Sequence, residues 1–167
     1  MIIGQPVWGL KWFDFKKTPS KTQKGVGVRY FLSWEDGLWR LLKAKNIVKG
    51  SVILVPEFYC MDVAKNMEAH GLRVVFYPMD KNFRTRKEEL VEFIEKYDPK
   101  IIVVFHVAGM ENELVSSVDW KNILKPEVLL IEDSVHRIVV PDNITILRNN
   151  HFVMDSWRKV VPIQGSA

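Results

Sequence analysis

The chain has little cysteine and no long apolar run. Among its 167 residues the single cysteine is Cys60, which excludes a disulfide within the chain but leaves one between chains open. So little cysteine is typical of a reducing compartment. No stretch approaches the roughly 20 apolar residues of a membrane-spanning helix, and the first residues lack a basic region followed by a signal-like apolar run. We therefore expect a cytoplasmic protein that does not bind a membrane.

Several ligand motifs are also missing. No P-loop is present, and the segment 25–27, Gly-Val-Gly, lacks the third glycine of a dinucleotide fingerprint, so we interpret it as a turn. The four histidines do not show His-x-x-x-His spacing. A metal cluster of Glu132, Asp133 and His136 would need a further ligand from elsewhere. We expect no metal site.

The charge balance argues against a nucleic-acid surface. The chain has 24 Lys and Arg against 20 Asp and Glu, a net charge of +4, and the basic residues are scattered. Scattered charge is typical of a solvated face rather than of a basic patch. With 47% hydrophobic and 26% charged residues, the composition is that of a globular domain of ordinary size.

Apolar runs and helical periodicities alternate along the chain, which predicts an α/β fold with three αβα layers and a mainly parallel sheet. Short β-branched runs predict strands, and apolar residues at helical spacing predict helices. The predicted strands are 51–56, 73–77, 100–106 and 128–132, with weaker ones at 144–147 and 152–155; the predicted helices are 35–45, 61–70, 87–96 and 118–124.

The first 27 residues read as an irregular N-terminal arm, because prolines and glycines interrupt them. The arm nevertheless contains four large aromatic residues: Trp8, Trp12, Phe13 and Phe15. Aromatic side chains at this density indicate that the arm lies on a surface, either that of its own domain or that of a partner chain.

Polar side chains follow the predicted strands at their carboxyl ends, where ligands bind in open parallel sheets. Asp133 and His136 come after one strand, and Ser156 and Lys159 come after the last. The structural alternatives are ordinary: Lys159 as a surface lysine, Asp133 as a cap, and His136 as a polar residue with satisfied hydrogen bonds.

Five segments in this order resemble the large domain of fold type I pyridoxal phosphate (PLP) enzymes. Within that group the chain is most similar to the sugar aminotransferases of the DegT/DnrJ/StrS type, and the resemblance covers roughly residues 28–167. The segments are 55–60 (Val-Pro-Glu-Phe-Tyr-Cys), 71–77 with its glycine and strand, 105–109 (Phe-His-Val-Ala-Gly), 131–136 (Ile-Glu-Asp-Ser-Val-His) and 156–159 (Ser-Trp-Arg-Lys).

The resemblance implies a role for each matching residue. Lys159 is the lysine that forms a Schiff base with the cofactor, and Asp133 is the carboxylate that faces the pyridine nitrogen and keeps it protonated. His136 matches a position beside the phenolic oxygen of the cofactor, and Ser156 matches a hydroxyl on its phosphate side. Two further cofactor-binding candidates are Ser33, at the phosphate end, and Tyr59, near the position of the aromatic side chain that stacks on the ring.

The chain also departs from this pattern. After Ser33 it reads Trp34-Glu35-Asp36, where the family has small residues that let backbone amides hold a phosphate. Cys60 stands where the stacking aromatic residue is usual. The sequence is about half as long as family members, so residues 28–167 match an incomplete large domain without its small C-terminal domain.

Two functions follow. The first is amino transfer from a small-molecule donor to a keto sugar nucleotide or a similar carbonyl, with PLP on Lys159, by a homodimer or together with a missing C-terminal half. The second is a non-catalytic remnant of this fold that acts as an oligomerisation or partner-binding module.

Overall fold

A computed structural model describes residues 27–137, 139, 144–156 and 159. The described residues form a parallel five-stranded sheet in the order β2-β1-β3-β4-β5. The strands are β1 Val52–Pro56, β2 Arg73–Tyr77, β3 Ile101–Phe105, β4 Leu129–Asp133 and β5 His151–Met154. The helices are α1 Trp34–Ala44, α2 Met61–Ala69, α3 Lys87–Tyr97, α4 Leu114–Ser117 and α5 Trp120–Ile123, with a short 3-10 turn at Val107–Gly109.

Helices cover the sheet on both faces, which confirms the predicted three-layer α/β architecture. Leu38 of α1 and Met67 of α2 pack with Ile131 on one face, whereas Leu90 of α3 and Trp120 of α5 pack with residues of the other face. Strand β3 is buried along its whole length, as expected for a central strand of a parallel sheet.

Local contacts define the helix ends. Ser33 caps α1 by accepting a hydrogen bond of 3.1 Å from the amide of Asp36, and Glu35 and Asp36 lie in the first turn, where acidic side chains suit the helix dipole. After α2, Gly71 adopts φ +90°, a conformation that is costly for any residue with a side chain.

Two predicted elements differ in the structure. Residues 144–147 form no strand, because the amide of Leu147 donates to Nδ1 of His151 at 3.3 Å instead of to a neighbouring strand. Of the predicted helix 118–124, only the single turn α5 forms, since Val118 is extended (φ −96°, ψ 130°) and ends the preceding turn α4. The arm predicted at 1–27 lies outside the described residues except for Gly27. No helix in the described part of the chain is long and apolar enough to cross a membrane.

The strand register places the ends of β3, β4 and β5 side by side. Phe105 of β3 is paired with Asp133 of β4, which is paired in turn with Met154 of β5. The loops that follow these three strands therefore begin at one edge of the sheet, and this edge carries the candidate site.

Candidate functional site

Asp133 is the centre of the site. It is the last residue of β4 and only 3% exposed, and strand alternation places it on the face of Ile131, which α1 and α2 cover. Both carboxylate oxygens accept hydrogen bonds: Oδ1 accepts from the amide of Val135 at 3.1 Å, and Oδ2 accepts from the hydroxyl of Tyr59 at 2.7 Å. The fold therefore holds a buried carboxylate in a fixed orientation.

Burial controls the protonation of this pair. Burial raises the pKa of the Asp133 carboxyl to about 6, and nearby Glu35 adds to the rise, although the bonds from Tyr59 and Val135 act in the opposite direction. Burial and the negative charge of Asp133 hold the pKa of the Tyr59 hydroxyl well above its ordinary value. Tyr59 is consequently a permanent donor to Asp133, whereas Asp133 changes charge near neutral pH.

Aromatic rings surround this carboxylate. The ring of Phe105 meets the ring of Tyr59 edge-on, with centroids 5.6 Å apart, and its centroid is 5.2 Å from that of His136. His136 is exposed, and its Nδ1 accepts a hydrogen bond of 3.3 Å from the amide of Ala108. The structure thus brings together three of the sequence-predicted residues, Asp133, Tyr59 and His136.

Ser33 is engaged as a helix cap. Its hydroxyl accepts from the amide of Asp36 and donates to the Asp36 carboxylate at 3.2 Å, so the cap and the first turn of α1 satisfy each other. The next residue, Trp34, is buried, and its indole Nε1 has no hydrogen-bond partner among the residues that the structure describes. The start of α1 therefore combines a capped hydroxyl, two carboxylates and one unused buried donor.

Ser156 and Lys159 follow β5. Ser156 is buried, and its carbonyl accepts a hydrogen bond of 3.1 Å from the amide of Lys159, which is exposed. The amide of Ser134 donates to the carbonyl of Met154 at 2.7 Å, which fixes the ends of β4 and β5 to each other. Both sequence-predicted residues therefore lie at the same sheet edge as Asp133, but no contact among the described residues joins Lys159 to Asp133.

A second buried polar cluster lies on the opposite face of β4 and was missed as a unit by the sequence interpretation. Glu132 accepts from Nε2 of His106 at 3.1 Å, and its other oxygen lies 2.7 Å from Nε2 of His151, at an angle that is poor for a hydrogen bond. Nδ1 of His106 accepts from the amide of Asn112 at 3.1 Å and lies 3.0 Å from Nη1 of Arg137.

This cluster keeps Glu132 ionised. Burial alone would raise the pKa of its carboxyl, but the two histidines outweigh burial and lower the pKa to about 2. A charged residue inside the apolar run 128–132 was the available signal in the sequence. In the described part of the chain no three His, Cys, Asp or Glu side chains are grouped so that they could hold a metal ion.

Comparisons with known proteins identify the fold. No family model matches the chain, and no curated protein matches it. Solved structures do match. The aromatic aminotransferase from Pyrococcus horikoshii OT3 superposes with a TM-score of 0.64 at 10% identity, over 87% of this chain and 43% of that one. Histidinol-phosphate aminotransferase from Sinorhizobium meliloti, solved with pyridoxal-5'-phosphate, gives 0.61 at 13% identity, over 82% and 40%.

A sugar-modifying enzyme is among the similar structures. GDP-4-keto-6-deoxymannose-3-dehydratase, solved with bound GDP-perosamine, matches with a TM-score of 0.60 at 18% identity, over 82% of this chain and 38% of that one. The chain thus spans between 38% and 43% of the length of these three structures. At such low sequence identities the matches show the fold alone. The chain has part of the fold of PLP-dependent aminotransferases.

The site residues fit the ring of PLP better than they fit its phosphate. A buried carboxylate at the end of a parallel strand, beside aromatic side chains, suits a protonated ring nitrogen. At the phosphate end, Glu35 and Asp36 would repel a dianion, and Ser33 is already bonded. The neutral side-chain donors near this end of the sheet, Nε1 of Trp34 and the hydroxyl of Ser156, belong to buried residues.

Proposed function

We propose that this chain is the cofactor-binding part of a PLP-dependent aminotransferase that transfers an amino group to a keto sugar, its nucleotide or a similar carbonyl. The observation that supports the proposal is the buried Asp133 at the end of β4, held by Tyr59 and Val135. A structural cap has little need for a charged group that is only 3% exposed, whereas a carboxylate that faces a cationic ring does.

Each residue of the site has a defined part in this proposal. Asp133 faces the pyridine nitrogen and keeps it protonated, and Lys159 is the exposed amine that bonds to the cofactor aldehyde. His136 lies on the side of the phenolic oxygen, and Ser156 on the side of the phosphate. The bound cofactor supplies an electron-withdrawing ring that stabilises negative charge on the substrate carbon.

The reaction needs partners that the chain itself does not supply. An amino acid donor and a keto acceptor are the small-molecule substrates, and we propose that a second copy of the chain or a separate C-terminal half completes the site. We further propose that residues 28–167 form an incomplete large domain, that the first 27 residues form an arm, and that the protein works in the cytoplasm.

The test is a titration of the purified protein with PLP, followed by borohydride reduction and peptide mapping. We expect a visible absorption band and a reduced cofactor attached to Lys159. Lys159→Ala should lose both signals, whereas Lys81→Ala, a change of an exposed turn lysine, should keep them. Labelling spread evenly over surface lysines would contradict the proposal.

One observation favours the second candidate, a non-catalytic partner-binding module. The hydroxyl of Ser33 is tied to Asp36, and two carboxylates occupy the first turn of α1 where a phosphate would need donors. If the protein shows no cofactor band in the titration but forms a stable oligomer in light scattering, this candidate replaces the first.

A further inference from the structure

An apolar groove lies beside β5, the last strand of the described sheet, and Asp133 is not among the residues that line it. Its volume is about 670 Å³, within the range of pockets that enclose sizeable apolar groups. Segment 27–31, α1, residues 144–146 and β5 form its walls. The apolar side chains that line it include Phe31, Leu41, Ile144, Ile146, Phe152 and Met154.

The wall of this groove is exposed to an unusual degree. Tyr30 is 67% exposed and Ile146 is 48% exposed, although both are large apolar residues that border one groove. Covering such a surface removes apolar area from water, which stabilises the covered state by about 25 cal/mol per Å². The groove therefore favours an apolar occupant, and its position beside β5, the last strand in the described sheet, suits a polypeptide segment.

The chain carries a matching segment directly before the groove. Residues 1–26 lead into Gly27, which is itself part of the groove wall. The stretch 7–15 contains Val, Leu, two Trp and two Phe in nine residues. Aromatic side chains each bury about 150–250 Å² when they dock. This stretch therefore supplies apolar surface that can cover the exposed groove.

We propose that residues 7–15 of the N-terminal arm dock into this groove of their own chain. The linker between Phe15 and Gly27 is short, and a linker of that length holds the arm near the groove at an effective concentration in the millimolar range. Weak apolar contacts are sufficient for docking at that concentration. Asp133 does not line the groove, so the proposal does not depend on cofactor binding.

Apolar contact, not charge, drives this docking. The segment that joins the stretch to Gly27 is basic, with Lys16, Lys17, Lys21 and Lys24. The groove wall carries two basic residues, Arg29 and Arg40, and one buried acid, Asp155. Like charges repel, and salt screens that repulsion over about 10 Å at 0.1 M. We expect the docked population to rise with added salt, opposite to the behaviour of an ion-paired arm.

Disulfide trapping in the full-length chain tests the proposal. Cys60 is first replaced by serine, and cysteines are placed at Gly9 in the arm and at Ala44 on the groove wall. The matched control pairs the arm cysteine with one at Lys65, an exposed position on α2 that does not line the groove. Intramolecular and intermolecular products are separated by size on a non-reducing gel.

We expect the Ala44 pair to form an intramolecular disulfide about tenfold faster than the Lys65 pair, and faster still in 0.5 M salt. Ile146→Asp should remove this preference, whereas Val48→Asp, a change of another exposed apolar residue outside the groove, should not. Equal rates for the two pairs would overturn the proposal. A product found only between two chains would also overturn it, because the occupant would then be a second copy.

Discussion

Tyr59 donates a hydrogen bond of 2.7 Å to Oδ2 of Asp133 and thereby joins the turn after β1 to the end of β4. A phenol O–H and a protonated ring nitrogen are both donors, so Tyr59 takes up one of the acceptor sites that Asp133 offers. The chain thus carries its own donor at the position where the proposed cofactor would present one, and this donor never ionises near neutral pH because its pKa is raised.

Replacing Tyr59 by phenylalanine tests separately what its hydroxyl does for stability and for PLP binding. Without cofactor, Tyr59→Phe should lower the free energy of unfolding by about 1–3 kcal/mol, because a buried carboxylate loses a hydrogen bond. The same variant should bind PLP more tightly, since the competing donor is gone. Urea denaturation and absorption titration measure the two quantities. Tyr97→Phe, in a ring that packs on Phe93, is the control, and an equal loss of stability in both variants would argue against the bond.

The charge of Asp133 should make stability depend on pH. Its folded pKa of about 6 exceeds its ordinary value of 3.8, so the folded protein binds this proton more tightly than the unfolded chain does. The associated stability is present at low pH and is lost as pH rises from about 4 to about 6, by up to about 3 kcal/mol.

Asp133→Asn should remove the pH-dependent contribution of Asp133 to stability. The stability of the variant relative to the natural protein should therefore rise between pH 4 and pH 7. Urea denaturation across that range measures the difference, with the exposed Asp62→Asn as control. A difference between the two proteins that does not change with pH would show that Asp133 has an ordinary pKa.

Trp34→Phe tests whether the unpartnered indole nitrogen serves the phosphate end. Because Nε1 has no partner among the described residues, its removal costs no hydrogen bond, and any loss of stability comes from the smaller ring in the core. The dissociation constant of PLP should increase several-fold, while that of pyridoxal, which lacks the phosphate, should stay unchanged. Trp39→Phe, in a ring that stacks on His70, should affect neither. Equal weakening of both ligands would point to a packing effect.

Glu132→Gln should destabilise the sheet from within. The carboxylate lies between His106 and His151, and a glutamine cannot accept from both with the same charge, so we expect a loss of about 1–3 kcal/mol at pH 7. Since the folded pKa of Glu132 is lowered to about 2 from 4.5, its contribution is present above pH 4.5 and is lost as pH falls.

Urea denaturation at pH 7 and at pH 3 measures this loss. The free energies of unfolding of the natural protein and of Glu132→Gln should differ less at the lower pH. The exposed Glu127→Gln, which breaks only a surface pair with Lys100, should change stability by less than about 1 kcal/mol. A similar loss at both pH values would mean that packing, not charge, is what Glu132 contributes.

The sequence was sufficient for the elements whose signals are local. Continuous apolar runs predicted the four strands from β1 to β4, because a strand of a covered parallel sheet is apolar along its own length. Residues 144–147 misled the interpretation, since a short apolar run becomes a strand only when a neighbouring strand has free hydrogen-bonding groups. Leu147 bonds instead to a histidine ring, which no local pattern reveals.

The sequence by itself determined the α/β class, the alternation of elements and the positions of Asp133, His136 and Lys159 after strands, because periodicity and strand ends are properties of neighbouring residues. Only the tertiary structure decided which distant residues meet. Tyr59 and Asp133 are 74 positions apart, and His106 and Glu132 are 26 apart, so their contacts depend on strand order and register. Register is set by packing over the whole sheet, and for that reason the partners of each buried charge could not be deduced along the chain.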